Sequence, residues 1–242
     1  MSTPASQVGA LWVYLSTTPL LWLTVTVLVW LAADAVARAT GRHPAVNPVL
    51  IAVVLLSTLL VVTGTPYATY FTGAQFVHFM LGPAVVAIGV PLYKHWPEVR
   101  RNLLPMAGAL LAGTATAIAS AIGVALALGV PREALISLAP KSVTAGVAMG
   151  IAENLGGVPA LTAVLVIATG IIGAIVVTPL FDALGIRDMA ARGFAVGVAA
   201  HGIGTARAFA VSPVAGTFAG IAMGLSALLS SVLVPLVVRH LL

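Results

Sequence analysis

Residues 154–181 read NLGGVPALTAVLVIATGIIGAIVVTPLF, and no Asp, Glu, Lys or Arg interrupts them. A helix crosses the hydrocarbon core of a bilayer with about 20 apolar residues, so this stretch alone holds a span. Working outward, Pro44–Tyr93, Asn102–Pro131 and Ala208–Val238 are equally free of those four residue types. Of the 242 residues, 60% are hydrophobic and only 7% charged. A soluble domain of this size needs far more surface charge. The runs also lack the apolar–polar alternation of membrane β-strands. The fold class is an all-α polytopic membrane protein.

Six full spans are expected: Leu20–Ala37, Asn47–Thr63, Gln75–Tyr93, Leu103–Leu128, Ala160–Phe181 and Gly216–Val238. Trp12 and Tyr14 precede the first at the interface, and Asp34 sits four residues from Arg38, in position to pair with it. The third is interrupted by Gly82-Pro83. Two further segments, Pro131–Gly157 and Gly193–Ser212, read as broken or re-entrant helices. The chain is read as a single membrane domain: an N-terminal span and loop (1–45), a first repeat-like unit (46–130) and a second unit (131–242). The N-terminus lacks the basic n-region of a cleaved signal, so the first span is read as retained.

The formal charge is +5, from basic residues scattered singly and in pairs. That pattern fits a positive-inside bias in short loops rather than nucleic-acid binding. The chain has no cysteine, which excludes disulfides, thiolate metal sites and thiol nucleophiles. No metal or cofactor is expected. His-Glu-x-x-His, P-loop and paired-carboxylate motifs are absent. His201 with Ser226 lacks a third, orienting group, and no enzyme activity is expected.

An internal repeat runs at an offset of 57 residues: Leu81-Gly82-Pro83 aligns with Leu138-Ala139-Pro140, Gly89 with Gly146, Gly113 with Gly170 and Ala117 with Ala174. Apolar sequences built from few residue types also match by chance. Each unit reads as a Pro-broken segment followed by a Gly-rich span, and duplicated broken helices point toward a transporter with its site at the repeat interface. If Gln75–Tyr93 crosses while Pro131–Gly157 and Gly193–Ser212 are re-entrant hairpins, the loops at 38–43, 94–101 and 182–192 all face the cytoplasm. The repeat instead makes the first two of these segments alike. The sequence does not choose between the two.

Two polar islands carry the chemistry. In Pro140-Lys141-Ser142-Val143-Thr144, Pro140 breaks the helix. A half-helix starting near Lys141 then offers free N–H groups and a positive dipole end. With Lys141, Ser142 and Thr144 this makes an anion site. A snorkelling lysine with back-bonded hydroxyls fits the same residues equally well. In His201-Gly202-Ile203-Gly204-Thr205-Ala206-Arg207, Gly202 and Gly204 permit close backbone approach, Thr205 adds a hydroxyl, and Arg207 can grip a carboxylate in bidentate fashion. His201 titrates near neutral pH and is the first candidate for proton coupling. A neutral histidine bonding a broken-helix carbonyl is at least as good a reading. Glu153 is a charge partner for Lys141, a second coupling candidate or simply the polar end of its segment. Asn47, Gln75, Pro83 and Asn154 are secondary site candidates. His78 reads as packing.

These motifs are similar to those of the LrgB/CidB family, which also forms the C-terminal half of the plastidial glycolate/glycerate translocator. The resemblance runs from about Asn47-Pro48 to the end. It is carried by Gly73-Ala74-Gln75-Phe76, Leu81-Gly82-Pro83-Ala84, Pro91-Leu92-Tyr93-Lys94, Pro140–Thr144, Gly156-Gly157-Val158-Pro159-Ala160-Leu161-Thr162-Ala163 and Ala200–Ala208. Ala145 stands where many relatives carry Thr, and Ala200 where many carry Ser. The resemblance implies a bacterial inner-membrane protein and a four-span partner of the LrgA/CidA type. It implies one of two functions: carriage of small carboxylates (glycolate, glycerate, pyruvate), or holin- or antiholin-like regulation of murein hydrolases and lysis. The residue chemistry favours the carrier. Two discontinuous segments would meet near the midplane, with an elevator-like moving domain in a homodimer.

Overall fold

The structure is a computed structural model that describes residues 18–80, 83, 86, 87 and 89–241. Trp12, Tyr14, Leu81 and Gly82 lie outside the described residues. Every regular element among those described is a helix. The chain forms two compact units, Met1–Ala87 and Ile88–Leu242.

The first unit holds α1 (Pro19–Ala39), α2 (Pro48–Thr63) and α3 (Tyr67–Phe79). Gly73 lets α3 lie directly on α1, since a Cβ there would be 2.2 Å from the Pro19 carbonyl oxygen. Trp22 is fully buried beside this contact, edge-on to Tyr70. Asp34 pairs with Arg38 at 3.2 Å, as the spacing implied, and with Arg42 at 3.3 Å. Asn47 caps α2: its Oδ1 accepts from the N–H groups of Val49 (2.8 Å) and Leu50 (3.2 Å). Pro at the first helical position completes this start.

The second unit begins with short helices α4 (Gly89–Lys94) and α5 (Trp96–Arg101). It continues with α6 (Leu103–Ala127), α7 (Arg132–Leu138), α8 (Ala145–Asn154), α9 (Pro159–Ala183), α10 (Met189–Val211) and α11 (Pro213–Leu241). By length and composition five helices can cross a bilayer: α1, α6, α9, α10 and α11. The shorter α2 is also apolar. Large apolar side chains such as Leu104, Val164, Ile172 and Leu228 stand exposed on these helices, as lipid-facing surfaces do. The chain is a multi-pass membrane protein.

Two segments double back on themselves. Between α7 and α8 the chain turns at Ala139–Thr144, and the Val158 N–H then donates to Ser137 Oγ at 2.8 Å. Had α7 and α8 run on through the membrane, those residues would be separated by more than about 20 Å. The segment is therefore a re-entrant hairpin with the first island at its tip. α10 does the same. A straight helix would place Met189 and Val211 roughly 33 Å apart, yet both line one void of about 20 Å³. The reversal falls at Ala200 (φ −130°, ψ 17°) and His201 (φ 40°, ψ −137°).

α11 shows how the two hairpins are arranged. Gly193 meets Ala215 and Gly197 meets Ala219. Then Gly202 and Thr205 meet Met223, and Ser226 and Ser230 face Pro140. Finally Val234 and Val238 pack with Leu135 and Ile136. Read along α11, the second hairpin runs from base to tip and the first from tip to base. The hairpins enter from opposite ends and their tips meet midway. Glycines at 193 and 197 permit this closeness, because a Cβ at either would sit about 2 Å from an α11 carbonyl.

Candidate functional site

The tips meet at α9. Val143 of the first island packs on Val166, and the Val166 carbonyl lies 2.9 Å from His201 Nε2 of the second. The ring lies against Gly170, where a Cβ would be 2.6 Å from Cε1, and Ala200 lies against Gly173. The sequence did not mark Val166, because its contribution is a main-chain oxygen.

His201 is 4% exposed and has a positive φ without being glycine, a backbone state that costs on the order of 1–3 kcal/mol. The positive φ falls on His201 and on neither Gly202 nor Gly204. Gly204 instead clears space, since a Cβ would meet Ala200 Cβ at 2.6 Å and Val196 Cγ1 at 2.7 Å. Thr205 is buried, and its hydroxyl donates to the His201 carbonyl at 2.8 Å. The reversal is held from both sides, by a ring-to-carbonyl contact and by a hydroxyl.

Lys141 and Ser142 line a cavity of about 400 Å³. Its walls come from one face of α6, including Met106, Gly113 and Ala117, and from the first limb of α10, including Phe194, Val198 and Ala199. Asn102 and Asp188 also line it, and they lead into a vestibule of about 630 Å³ bearing Pro97 and Arg101. From Asn102 to Ala117 along α6 is roughly 22 Å. That wall carries the cavity across some two-thirds of a hydrocarbon core, from a vestibule lined by Arg101 and Asp188. The shared vestibule puts loops 94–101 and 182–192 at one end, as the hairpin arrangement required.

The other expected site residues lie elsewhere. Thr144 sits at the N-cap of α8 without a side-chain cap bond. Arg207 is on the return limb, away from the Lys141 cavity. It lines the small void with Arg192 and donates to Thr178 Oγ1 at 3.4 Å. Arg192 itself pairs with Asp182 at 2.5 Å. Glu153 and Asn154 are exposed at the outer end of α8, and the Asn154 side-chain amide donates to the Gly150 carbonyl. Glu153 therefore does not partner Lys141. Asn47 is a helix cap, Gln75 donates to the Thr72 carbonyl, and Pro83 is exposed; all three belong to the first unit.

Sequence reading missed Thr114, Ser226 and Ser230, three buried hydroxyls behind the first tip. Ser226 and Ser230 stand four apart and so share a helix face, a signal diluted by the small residues around them.

The LrgB-like family profile matches residues 26–240. The chain is 37% identical over 196 residues to the uncharacterized protein YxaC of Bacillus subtilis, covering 81% of this chain and 85% of that protein. It is 36% identical over 210 residues to the uncharacterized protein YwbG of the same organism, covering 86% and 92%. It is also 31% identical over 197 residues to the holin-like protein CidB of Staphylococcus epidermidis, covering 81% and 86%. No solved structure matches the chain.

Proposed function

The chain belongs to the LrgB-like family, and from that premise and the charged cavity we propose that it carries small carboxylates such as glycolate, glycerate or pyruvate across the bacterial inner membrane. One observation carries the reading: Lys141 and Ser142 line a mostly apolar cavity that joins a vestibule bearing Arg101 and Asp188. An ammonium there is costly unless an anion or water receives it. A carboxylate meets the ammonium and the hydroxyl and adds no net charge. The α8 N-terminus, just past Thr144, adds a positive dipole end. Such a carrier performs no bond-making step, so the reading is of a transporter and not an enzyme.

Both hairpins lie in the second compact unit; an elevator-like moving unit, a homodimer and an LrgA/CidA-like four-span partner belong to the same proposal. His201 lines no part of the cavity, and its ring bonds a backbone carbonyl, which favours an architectural role over a proton relay. The similarity to the holin-like protein CidB of Staphylococcus epidermidis supports a second reading as a regulator of murein hydrolases and lysis.

Uptake of labelled glycolate, glycerate and pyruvate into proteoliposomes separates the two. A charge-assisted hydrogen bond contributes about 1.5–3 kcal/mol, so Lys141→Met should weaken half-saturation roughly 10–150-fold. Wild-type protein that moves none of these anions but releases large dyes would establish the holin-like reading instead.

A further inference from the structure

The cavity that Lys141 and Ser142 line is larger than glycolate, glycerate or pyruvate requires. Its volume of about 400 Å³ would take roughly a dozen waters at their share of liquid volume, and an acid as short as pyruvate fills only a fraction of it. The polar groups of its lining sit in two places. Asn102 and Asp188 are shared with the vestibule. Ser142, next to Lys141, also lines a small void with Thr114, Ala117 and Ile118, roughly 18–24 Å along α6 from Asn102. Between the two places the walls are apolar: Met106, Ala109 and Gly113 on α6, and Phe194, Ala195 and Val198 on the first limb of α10.

Charge limits what fits. Among the described residues that line the cavity, Lys141 is the only cation and Asp188 the only anion. Arg101 lines the vestibule and not the cavity. One carboxylate meets the Lys141 ammonium and the Ser142 hydroxyl. A second carboxylate farther along the same ligand would leave water for apolar walls, with no cation to receive it. It would also approach Asp188, which has its own sign. Asp188 is fixed in place as the cap of α10, its carboxylate accepting from the Ala191 N–H at 2.7 Å. The same walls act the other way on an uncharged tail. Apolar surface gains by leaving water, and each methylene moved onto them should tighten binding about twofold to fourfold.

We propose that the site prefers monocarboxylates with an aliphatic tail, of about four to six carbons in all, over glycolate or pyruvate, and that it rejects dicarboxylates. This narrows the carrier reading of the same cavity and rests on it. The carboxylate lies at Lys141 and Ser142, and an oxygen on the next carbon can share their donors. The tail runs toward the vestibule between α6 and the first limb of α10. Its useful length ends where Asn102 and Asp188 begin, because a methylene gains nothing from covering polar groups. Ala195 is a specificity-determining residue: its small side chain leaves the tail its room.

The test uses the full-length protein in proteoliposomes, with labelled pyruvate and labelled 2-oxohexanoate as the transported probes. Unlabelled pyruvate, 2-oxobutanoate, 2-oxopentanoate and 2-oxohexanoate compete in turn, with 2-oxoglutarate as the dicarboxylate matched in length to 2-oxopentanoate. The half-inhibitory concentration should fall about twofold to fourfold per methylene. 2-Oxoglutarate should be weaker than 2-oxopentanoate by about tenfold or more. Ala195→Leu, which fills the tail's space, should flatten the series; the readout is the ratio of 2-oxohexanoate to pyruvate within each protein, so a smaller folded fraction cancels. A wild-type series that is flat or favours pyruvate, with uptake intact, overturns the proposal and leaves the carrier standing. A slope that survives Ala195→Leu, or equal inhibition by 2-oxoglutarate and 2-oxopentanoate, also overturns it. Wild-type protein that takes up neither probe removes the carrier reading, and the proposal with it.

Discussion

His201 lets the reversal in α10 be tested by a pair of substitutions that normally rank the other way. At an ordinary helix position Ala is more stable than Gly by about 1 kcal/mol. At φ 40°, ψ −137° the order should invert. His201→Ala and His201→Gly both lose the imidazole and its 2.9 Å contact with the Val166 carbonyl, so that loss cancels between them. Ala keeps a Cβ in a conformation costing on the order of 1–3 kcal/mol. Gly escapes most of that cost but surrenders roughly 0.5–1 kcal/mol of extra unfolded-state freedom. Gly should come out ahead by about 0.5–2 kcal/mol, or about 1–8 °C in midpoint for a chain of this size. The assay is the apparent melting temperature in detergent, read by size-exclusion recovery after heating. If His201→Ala equals or exceeds His201→Gly, the backbone at 201 is helical and the two-limbed form of α10 is wrong.

Other expectations follow from the same geometry. Gly170→Ala puts a methyl within 2.7 Å of the His201 ring, so overpacking should cost about 1–3 kcal/mol and lower the melting midpoint. Arg207→Met should leave the half-saturation of uptake near wild type while Lys141→Met raises it, because only Lys141 lines the cavity. Asn47→Ala should cost about 1 kcal/mol as a lost cap, with uptake per folded molecule unchanged. The chain has no native cysteine, which makes single-cysteine labelling clean. Asp188→Cys and Ser212→Cys should react with an impermeant maleimide from one side, and Pro131→Cys and Gly157→Cys from the other. Labelling of Asp188→Cys and Ser212→Cys from opposite sides would make α10 a crossing helix.

The sequence made the solvent and the two islands legible because each departs from what a lipid solvent tolerates, but it left open whether the segments holding them turn back or cross. Lys141 and Pro140 stand out by chemistry alone. What stayed hidden was phase. α9 and α11 are apolar all round, so their composition cannot tell a lipid-facing position from a buried one. Arg207 is six residues past the turn, and only the helical rotation of the return limb carries it onto Thr178 rather than Lys141. Position 201 was hidden for another reason. Two glycines beside it advertise backbone freedom, yet the unusual backbone falls on the histidine, whose ring and carbonyl are both held. Asn47 was ambiguous between ligand and cap, because an N-cap amide and a binding amide look alike before the helix start is known.

The repeat gains meaning from the hairpins. Arg132, where α7 begins, and Met189, where α10 begins, are 57 residues apart, the offset already seen between Leu81 and Leu138. Each hairpin leads into a long helix, α9 or α11, and the two hairpins point in opposite directions along α11. Hairpins inserted from opposite ends bring their tips to the same depth, which is where Val166 touches both. The two tips differ. The first holds Lys141 beside the cavity and breaks its helix at Pro140. The second carries no charge at its turn and is pinned in an unfavourable backbone state. A cation in the second tip would face Lys141 across the same narrow space and repel it, with an anion required at all times. The asymmetry lets the site stand empty between occupants, a condition that any carrier must meet on its return stroke.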